Sequence, residues 1–360
     1  MKHSNISIFI PHIGCPHKCS FCDQNTISGA QHLPDGNEVR EICKKALSEV
    51  KSPEDTEIAF FGGSFTAIPR DYMLELLEAA HEFVGEGKFR GIRCSTRPDC
   101  INNEVLSLLK TYGVTAIELG AQSMSDKVLE ANERGHTAED VFNASRLIRQ
   151  YGFELGLQMM IGLYKSTGDD EYETMEKILE IHPDTVRIYP VVILRGTRLA
   201  ELLKSGEYQL FGGANDEREY YDFDDVVDVA AGMLEEFEDN GIRVIKCGLH
   251  ASEFVEKDMV GGFYHPAFRE LCESRIYNHL IWNELFEMAD MNRPQKYVKE
   301  EADAKLQKLK GKHTVAVHPS CISKAMGHKK SNYLDLLENG IDIKIIGDES
   351  VPKYKCELRR

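Results

Sequence analysis

Hydrophobic positions along the chain follow two alternating rhythms. Short apolar, β-branched runs occur at ISIFIPHI (6–13), EIAFFGGSF (57–65), GIRCSTRP (91–98), AIELGAQS (116–123), FELGLQMMIG (153–162) and DTVRIYPVVI (184–193). Between them lie longer stretches with apolar residues three and four apart: REICKKALSEV (40–50), DYMLELLEAAHEFV (71–84), INNEVLSLLKTYG (101–113), AEDVFNASRLIRQYG (138–152) and DDEYETMEKILEIH (169–182). Gly113 and Gly152 close two of these helices. Strict β–α alternation implies a parallel sheet, because parallel strands need crossover helices. Periodicity alone does not separate a barrel-like sheet from an open, doubly wound one. The placement of special residues favours the barrel: cysteines follow the first strand, GGS the second, STRPD the third and GAQS the fourth. A βα barrel builds its site at such carboxyl ends.

The rhythm changes after residue 205. The expectation is a partial (β/α)6 barrel over 1–205 and a C-terminal α/β extension over 206–360. The extension comprises an acidic helix at 216–239, a returning strand at 241–250, a helical region at 264–289 and a small βαβ appendage at 314–347.

Composition narrows the class. The chain of 360 residues is 42% hydrophobic and 28% charged, as globular proteins are. It has no apolar run of membrane-spanning length and no signal-peptide pattern at its start, so a cytoplasmic setting without membrane contact is expected. The net charge of −16 opposes non-specific binding to nucleic acid. That charge is uneven: Lys305 to Lys330 holds seven lysines and no acid. A solvated surface and an RNA-phosphate contact both fit the segment.

Three of the ten cysteines cluster as Cys15, Cys19 and Cys22. In a reducing compartment, grouped cysteines are metal ligands more often than disulfides. Three thiolates are one short of closing a tetrahedral zinc site, and His12 or His17 could supply the fourth ligand. They are also one short of the usual four-cysteine set of a [4Fe–4S] cluster, which would leave one iron open.

The Cys-x3-Cys-x2-Cys loop after the first strand, with Phe21 beside its last cysteine, resembles the signature of the radical S-adenosylmethionine superfamily. The resemblance implies a cluster on Cys15, Cys19 and Cys22 whose open iron binds S-adenosylmethionine. Reductive cleavage of that cofactor gives a 5′-deoxyadenosyl radical, which takes hydrogen from a substrate. It also implies a flavodoxin- or ferredoxin-type reductant protein. Gly62 and Gly63 match the glycine pair that binds the methionine amino group. Gln122 and Ser123 end the fourth strand, where buried polar side chains need partners such as ribose hydroxyls. Arg134 suits a carboxylate.

TRPD, ELGAQS, RGHTAEDV and the run from Ala144 to Leu163 resemble more narrowly the radical domain of the Elongator family, which modifies the tRNA wobble uridine. By position, Gln122, Arg134 and Gln158 become cofactor contacts. Ser95 stands where those relatives carry a glutamate. No Arg/Gln-x-x-Gly-x-Gly/Ala stretch follows residue 250, so the family's acetyltransferase chemistry is not expected. The substrates to weigh are RNA, with 305–330 touching phosphates, and a small molecule such as a tetrapyrrole. A cluster-binding sensor without turnover is the non-enzymatic alternative.

Overall fold

The computed structural model describes residues 4–10, 13, 15, 18–23, 26, 32–209, 222–288 and 307–359. His12, Pro16, His17 and Lys305 lie outside the described residues, as does the start of the expected acidic helix. Elements run β1 (Ser4–Ile10), α1 (Gly36–Glu49), β2 (Thr56–Gly62), α2 (Arg70–His81), β3 (Gly91–Thr96), α3 (Asn103–Thr111), β4 (Val114–Gln122), α4 (Asp126–Ala131), α5 (Ala138–Gln150), β5 (Glu154–Ile161), α6 (Gly168–Ile181), β6 (Thr185–Pro190), β7 (Val192–Leu194) and α7 (Arg198–Ser205). They continue with α8 (Phe223–Asp239), β8 (Arg243–Cys247), α9 (Glu253–Asp258), β9 (Met259–Gly262), α10 (Phe268–Met288), β10 (Gly311–Val317), α11 (Ile322–Met326), α12 (Ser331–Glu338), β11 (Ile341–Gly347) and β12 (Cys356–Arg359).

Helix starts follow from local chemistry. Asp35, Thr137 and Thr167 each cap a helix and donate their own backbone N–H to an acid three residues on, Glu38, Asp140 and Asp170. The strands are apolar on the face toward the helices, with Ile58, Phe60, Ile92, Ile117, Leu155 and Ile188 all buried.

Chain contacts divide the molecule into two units. One holds Met1–Asp222 with Phe237–Pro266; the other holds Phe223–Glu236 with Ala267–Arg360. The first is built on a curled half-barrel sheet of seven parallel strands in the order β1-β2-β3-β4-β5-β6-β8. The chain pattern gave six strands. The seventh is the returning strand at 241–250, which pairs in parallel with β6 and joins the barrel rather than the extension. Its membership is hidden in the sequence because β7 and α7 interrupt the alternation before it. The second unit carries a three-stranded sheet, β11-β10-β12, with β10 and β11 parallel and β12 antiparallel. There Trp282 donates to Asp335 at 3.0 Å, and Glu273 pairs with Arg269 and Lys324 at 3.0 and 2.9 Å.

The concave face of the half-barrel departs from the branched apolar filling usual in barrels. Arg93 on β3, fully buried, reaches Glu57 on β2 at 2.8 Å, Glu118 on β4 at 3.3 Å and Glu154 on β5 at 2.6 Å. Glu118 also binds Arg187 on β6, at 2.6 and 2.8 Å, and accepts from Gln158 on β5 at 3.0 Å. Five strands are thus tied by one ionic network. Burial pushes the Glu118 carboxyl up, but Arg187 and Arg93 outweigh it and hold the group below its ordinary range.

Removing one member of such a network strands the others in a dry interior. Glu118→Gln should cost about 3–5 kcal/mol of unfolding free energy, measured with denaturant on cluster-free protein. The sign of the pH effect follows from the lowered native pKa. The stability that Glu118 adds is present above the unfolded value, about 4.3, and is lost as pH falls through the lower native value. Between about pH 5 and about pH 3 the native sequence should therefore lose more stability than the variant.

Candidate functional site

The carboxyl ends of the barrel strands enclose a cavity of about 1070 Å³. Alternation places its lining: residues two apart share a strand face. From β2 and its turn come Phe61, Gly62 and Gly63; from β3, Ser95; from β4, Gly120 and Gln122; from β5, Gln158 and Met160. Arg187 and Tyr189 come from β6, and Lys246 and His250 from β8 and the residues after it.

The loop after β1 brings Cys15, Cys19 and Cys22 to the same cavity. Burial raises the Cys15 thiol, the Ser64 backbone N–H lowers it again, and the neighbouring Cys19 raises it. Cys22 is pushed up to about 12, by burial first and then by the charges of Cys19 and Cys15. Three thiolates held this close in a dry pocket repel one another, and a cation among them would reverse the balance. The zinc alternative needs a fourth ligand, and both histidines considered for it lie outside the described residues. Among the described residues, no three His, Cys, Asp or Glu side chains gather as a single-ion site.

Arg134, 6% exposed, donates to the Cys19 sulfur at 3.0 Å and to the Gly120 carbonyl. Gln122 sits at a register shift of β4 with φ 68°, in the left-handed region. Arg97 is fixed by Asp99 through two 2.9 Å bonds. Each of these residues keeps one buried atom without a partner among the described residues: Arg134 Nε, Gln122 Oε1 and Arg97 Nη1. Such unspent capacity in a cavity wall is what a bound polar ligand satisfies. His136, behind the wall, is pushed down to about 4 by burial and by Arg134, so it is neutral.

The glycines make a close backbone approach. A Cβ on Gly62 would lie 2.6 Å from the Ile10 carbonyl oxygen, and its φ is 120°. A Cβ on Gly63 would overlap the Ile13 carbonyl oxygen. The turn therefore presses against the strand and loop that lead to Cys15.

Of the residues singled out in the sequence, Cys15, Cys19, Cys22, Gly62, Gly63, Ser95, Gln122, Arg134 and Gln158 all line this cavity. Ser123 is not in the lining. Its hydroxyl accepts from the Ser125 amide at 3.2 Å and lies 3.4 Å from Thr174. Ser95 contacts Gln158 at 3.4 Å. Sequence reasoning passed over Arg97, Glu118, Arg187 and Lys246. The available signal was charge inside apolar strands for Glu118, Arg187 and Lys246, in IELGA, VRIYP and RVIKC, and an arginine just past a strand end for Arg97, in STRPD.

A family model described as the Radical SAM superfamily matches residues 9–178, and one described as a Radical_SAM C-terminal domain matches 183–278. A tRNA uridine(34) acetyltransferase of Methanocaldococcus jannaschii is 30% identical over 236 residues, covering 54% of this chain and 43% of that protein. Elongator complex protein 3 of Homo sapiens is 33% identical over 180 residues, covering 44% of this chain and 33% of that protein. The chain thus spans less than half the length of these curated relatives. Among solved structures, the Methanocaldococcus infernus Elp3 with an N-terminal deletion aligns with TM-score 0.52 and 18% identity, over 71% of this chain and 61% of that one. This last likeness is one of fold.

Gly63→Ala tests the close approach. The added methyl must displace the backbone at Ile13, two residues before Cys15. Iron bound after anaerobic reconstitution should fall, with the far-ultraviolet circular dichroism unchanged. Full iron uptake would mean that the turn does not set the cysteine loop.

Proposed function

Because the chain belongs to the radical S-adenosylmethionine superfamily, whose enzymes use a [4Fe–4S] cluster and S-adenosylmethionine, we propose that it modifies a nucleotide in RNA, as its tRNA-modifying relatives suggest. The observation that carries the site assignment is convergence. Three cysteines, a glycine turn, and three residues that each keep a buried polar atom without a partner among the described residues all line one cavity.

In this reading Cys15, Cys19 and Cys22 hold the cluster. When bound, the cluster supplies the electron that splits the cofactor's sulfonium and so generates the hydrogen-abstracting radical. The chain's own residues do the rest. Gly62 and Gly63 offer backbone groups to the cofactor's amino end. Arg134 steadies the Cys19 sulfur and balances its charge, with Nε left over for an acceptor. Gln122 offers its carbonyl oxygen to a donor such as a ribose hydroxyl. Gln158 spends its amide N–H bonds on Glu118 and Ser95, so its carbonyl is its remaining acceptor. Ser95 therefore acts on the cofactor through Gln158, whereas the glutamate of the relatives would reach further.

The setting is cytoplasmic, where a flavodoxin- or ferredoxin-type protein can deliver the electron. Among the described residues no helix is long and apolar enough to cross a membrane. RNA phosphates would meet the lysine-rich segment, whose described part holds Lys308, Lys310, Lys312, Lys324, Lys329 and Lys330. Lys324 is already paired with Glu273. The net charge of −16 favours a small-molecule substrate instead, and salt dependence separates the two.

Two measurements test this reading. Reduced, reconstituted protein should give a [4Fe–4S] electron paramagnetic resonance signal that changes on adding S-adenosylmethionine, and Cys19→Ala should lose it. A cluster indifferent to the cofactor would overturn the assignment. Transfer RNA should bind, and several phosphate contacts would weaken binding by about 10³-fold or more between about 50 and 200 mM salt. No binding at the lower salt would remove RNA as the substrate.

A further inference from the structure

Among the described residues, five cations and one acid line the cavity: Lys18, Arg97, Arg134, Arg187 and Lys246 against Asp23. This is the reverse of a chain that carries −16 overall. Arg97 and Arg134 stand near Cys15, and the positive charge of each pulls its thiol pKa down against the burial that raises it. Arg187 and Lys246 stand on β6 and β8, at the sheet edge opposite β1 and its cysteine loop.

Arg187 is held as a rigid receptor. Its Nε and Nη2 are bound to Glu118 at 2.6 and 2.8 Å, and its guanidinium lies 4.9 Å from the Phe61 ring centre. Fixed on two sides, it turns its third nitrogen toward the Tyr189 hydroxyl, 3.5 Å away, at the cavity surface. Lys246 is its direct register partner on the next strand, with both side chains in the lining. Adjacent strands lie about 4.8 Å apart, so the two cations can grip one anion between them. Glu118 matches the Arg187 charge, since Arg93 has Glu57 and Glu154 as well, and Lys246 adds a second cation to the same wall.

We propose that Arg187, Tyr189 and Lys246 form an anion subsite for the substrate, which takes a phosphate or carboxylate group at the end of the cavity remote from the cysteines. The proposal rests on the reading above, in which the cofactor occupies the cysteine end. A planar guanidinium beside a mobile ammonium suits the oxygens of either group. His250, whose pKa burial and then Lys246 push down, adds its ring to the same wall. Nucleotides would bring a phosphate; a tetrapyrrole or other metabolite would bring carboxylates.

The test is calorimetry on reconstituted protein with S-adenosylmethionine present, using uridine 5′-monophosphate, uridine and glutarate as probes. Electron paramagnetic resonance on the same samples reports whether the cofactor binds. Arg187 is too deeply tied to Glu118 to substitute safely, so Lys246 is varied. The monophosphate should bind at least about tenfold more tightly than uridine; Lys246→Gln should remove about tenfold, and Lys246→Arg should restore most of it. Glutarate binding with the same dependence on Lys246, and no gain from the phosphate, would keep the subsite and replace the nucleotide by an acid. In protein whose cluster responds to the cofactor, equal binding of both anions and uridine would overturn the subsite. So would monophosphate binding indifferent to Lys246→Gln. A cluster that does not respond would instead locate the failure in the cofactor reading.

Discussion

A single buried carboxylate, Glu118, holds the concave face of the half-barrel together. It stands between Arg93 and Arg187 and also accepts from Gln158. Taking these charges out of water is unfavourable, and only mutual pairing of good geometry offsets it. The alignment of β2 through β6 is therefore set by a requirement stricter than apolar packing. A strand displaced by one residue would turn its charge into the helix layer. The same network ends at the cavity surface, where Arg187 and Gln158 are presented in fixed orientations. Fold and site share one set of bonds.

Around that floor the cavity divides by chemistry. Toward the cysteine loop lie soft sulfur, exposed backbone at the glycine turn and polar atoms without partners. Toward β6 and β8 lie cations and aromatic or apolar side chains, among them Tyr189, Met160 and Leu249. A reaction in which one bound group must act on another needs two neighbouring environments in one enclosure. Here the strands supply both, because each contributes its last inward-facing residues to the same rim.

Much of this was legible in the chain. Apolar rhythm gave six of the seven barrel strands, and the cysteine spacing with the glycine turn located the cavity wall. The seventh was read as a strand at 241–250 but placed in the extension, because β7 and α7 break the alternation ahead of it. The ionic network was missed for a different reason. Arg93, Glu118 and Arg187 each look like solvent-facing members of amphipathic strands, and pairing between strands far apart in sequence is not a local property. Ser123 illustrates the converse limit. It sits beside Gln122 in one motif, but successive strand residues point to opposite faces, and the register shift at Gln122 falls between them and the rest of β4.

The left-handed backbone at Gln122 has a consequence for anyone redesigning this barrel. Glycine or asparagine would occupy that conformation with less strain, a difference of order 1 kcal/mol or more. A sequence optimised for stability on this backbone would therefore discard the glutamine and gain robustness. It would also remove the amide that this bend carries in the cavity wall, or with asparagine draw it back by one methylene. Position 122 is a place where a thermostability campaign and a working enzyme ask for different residues.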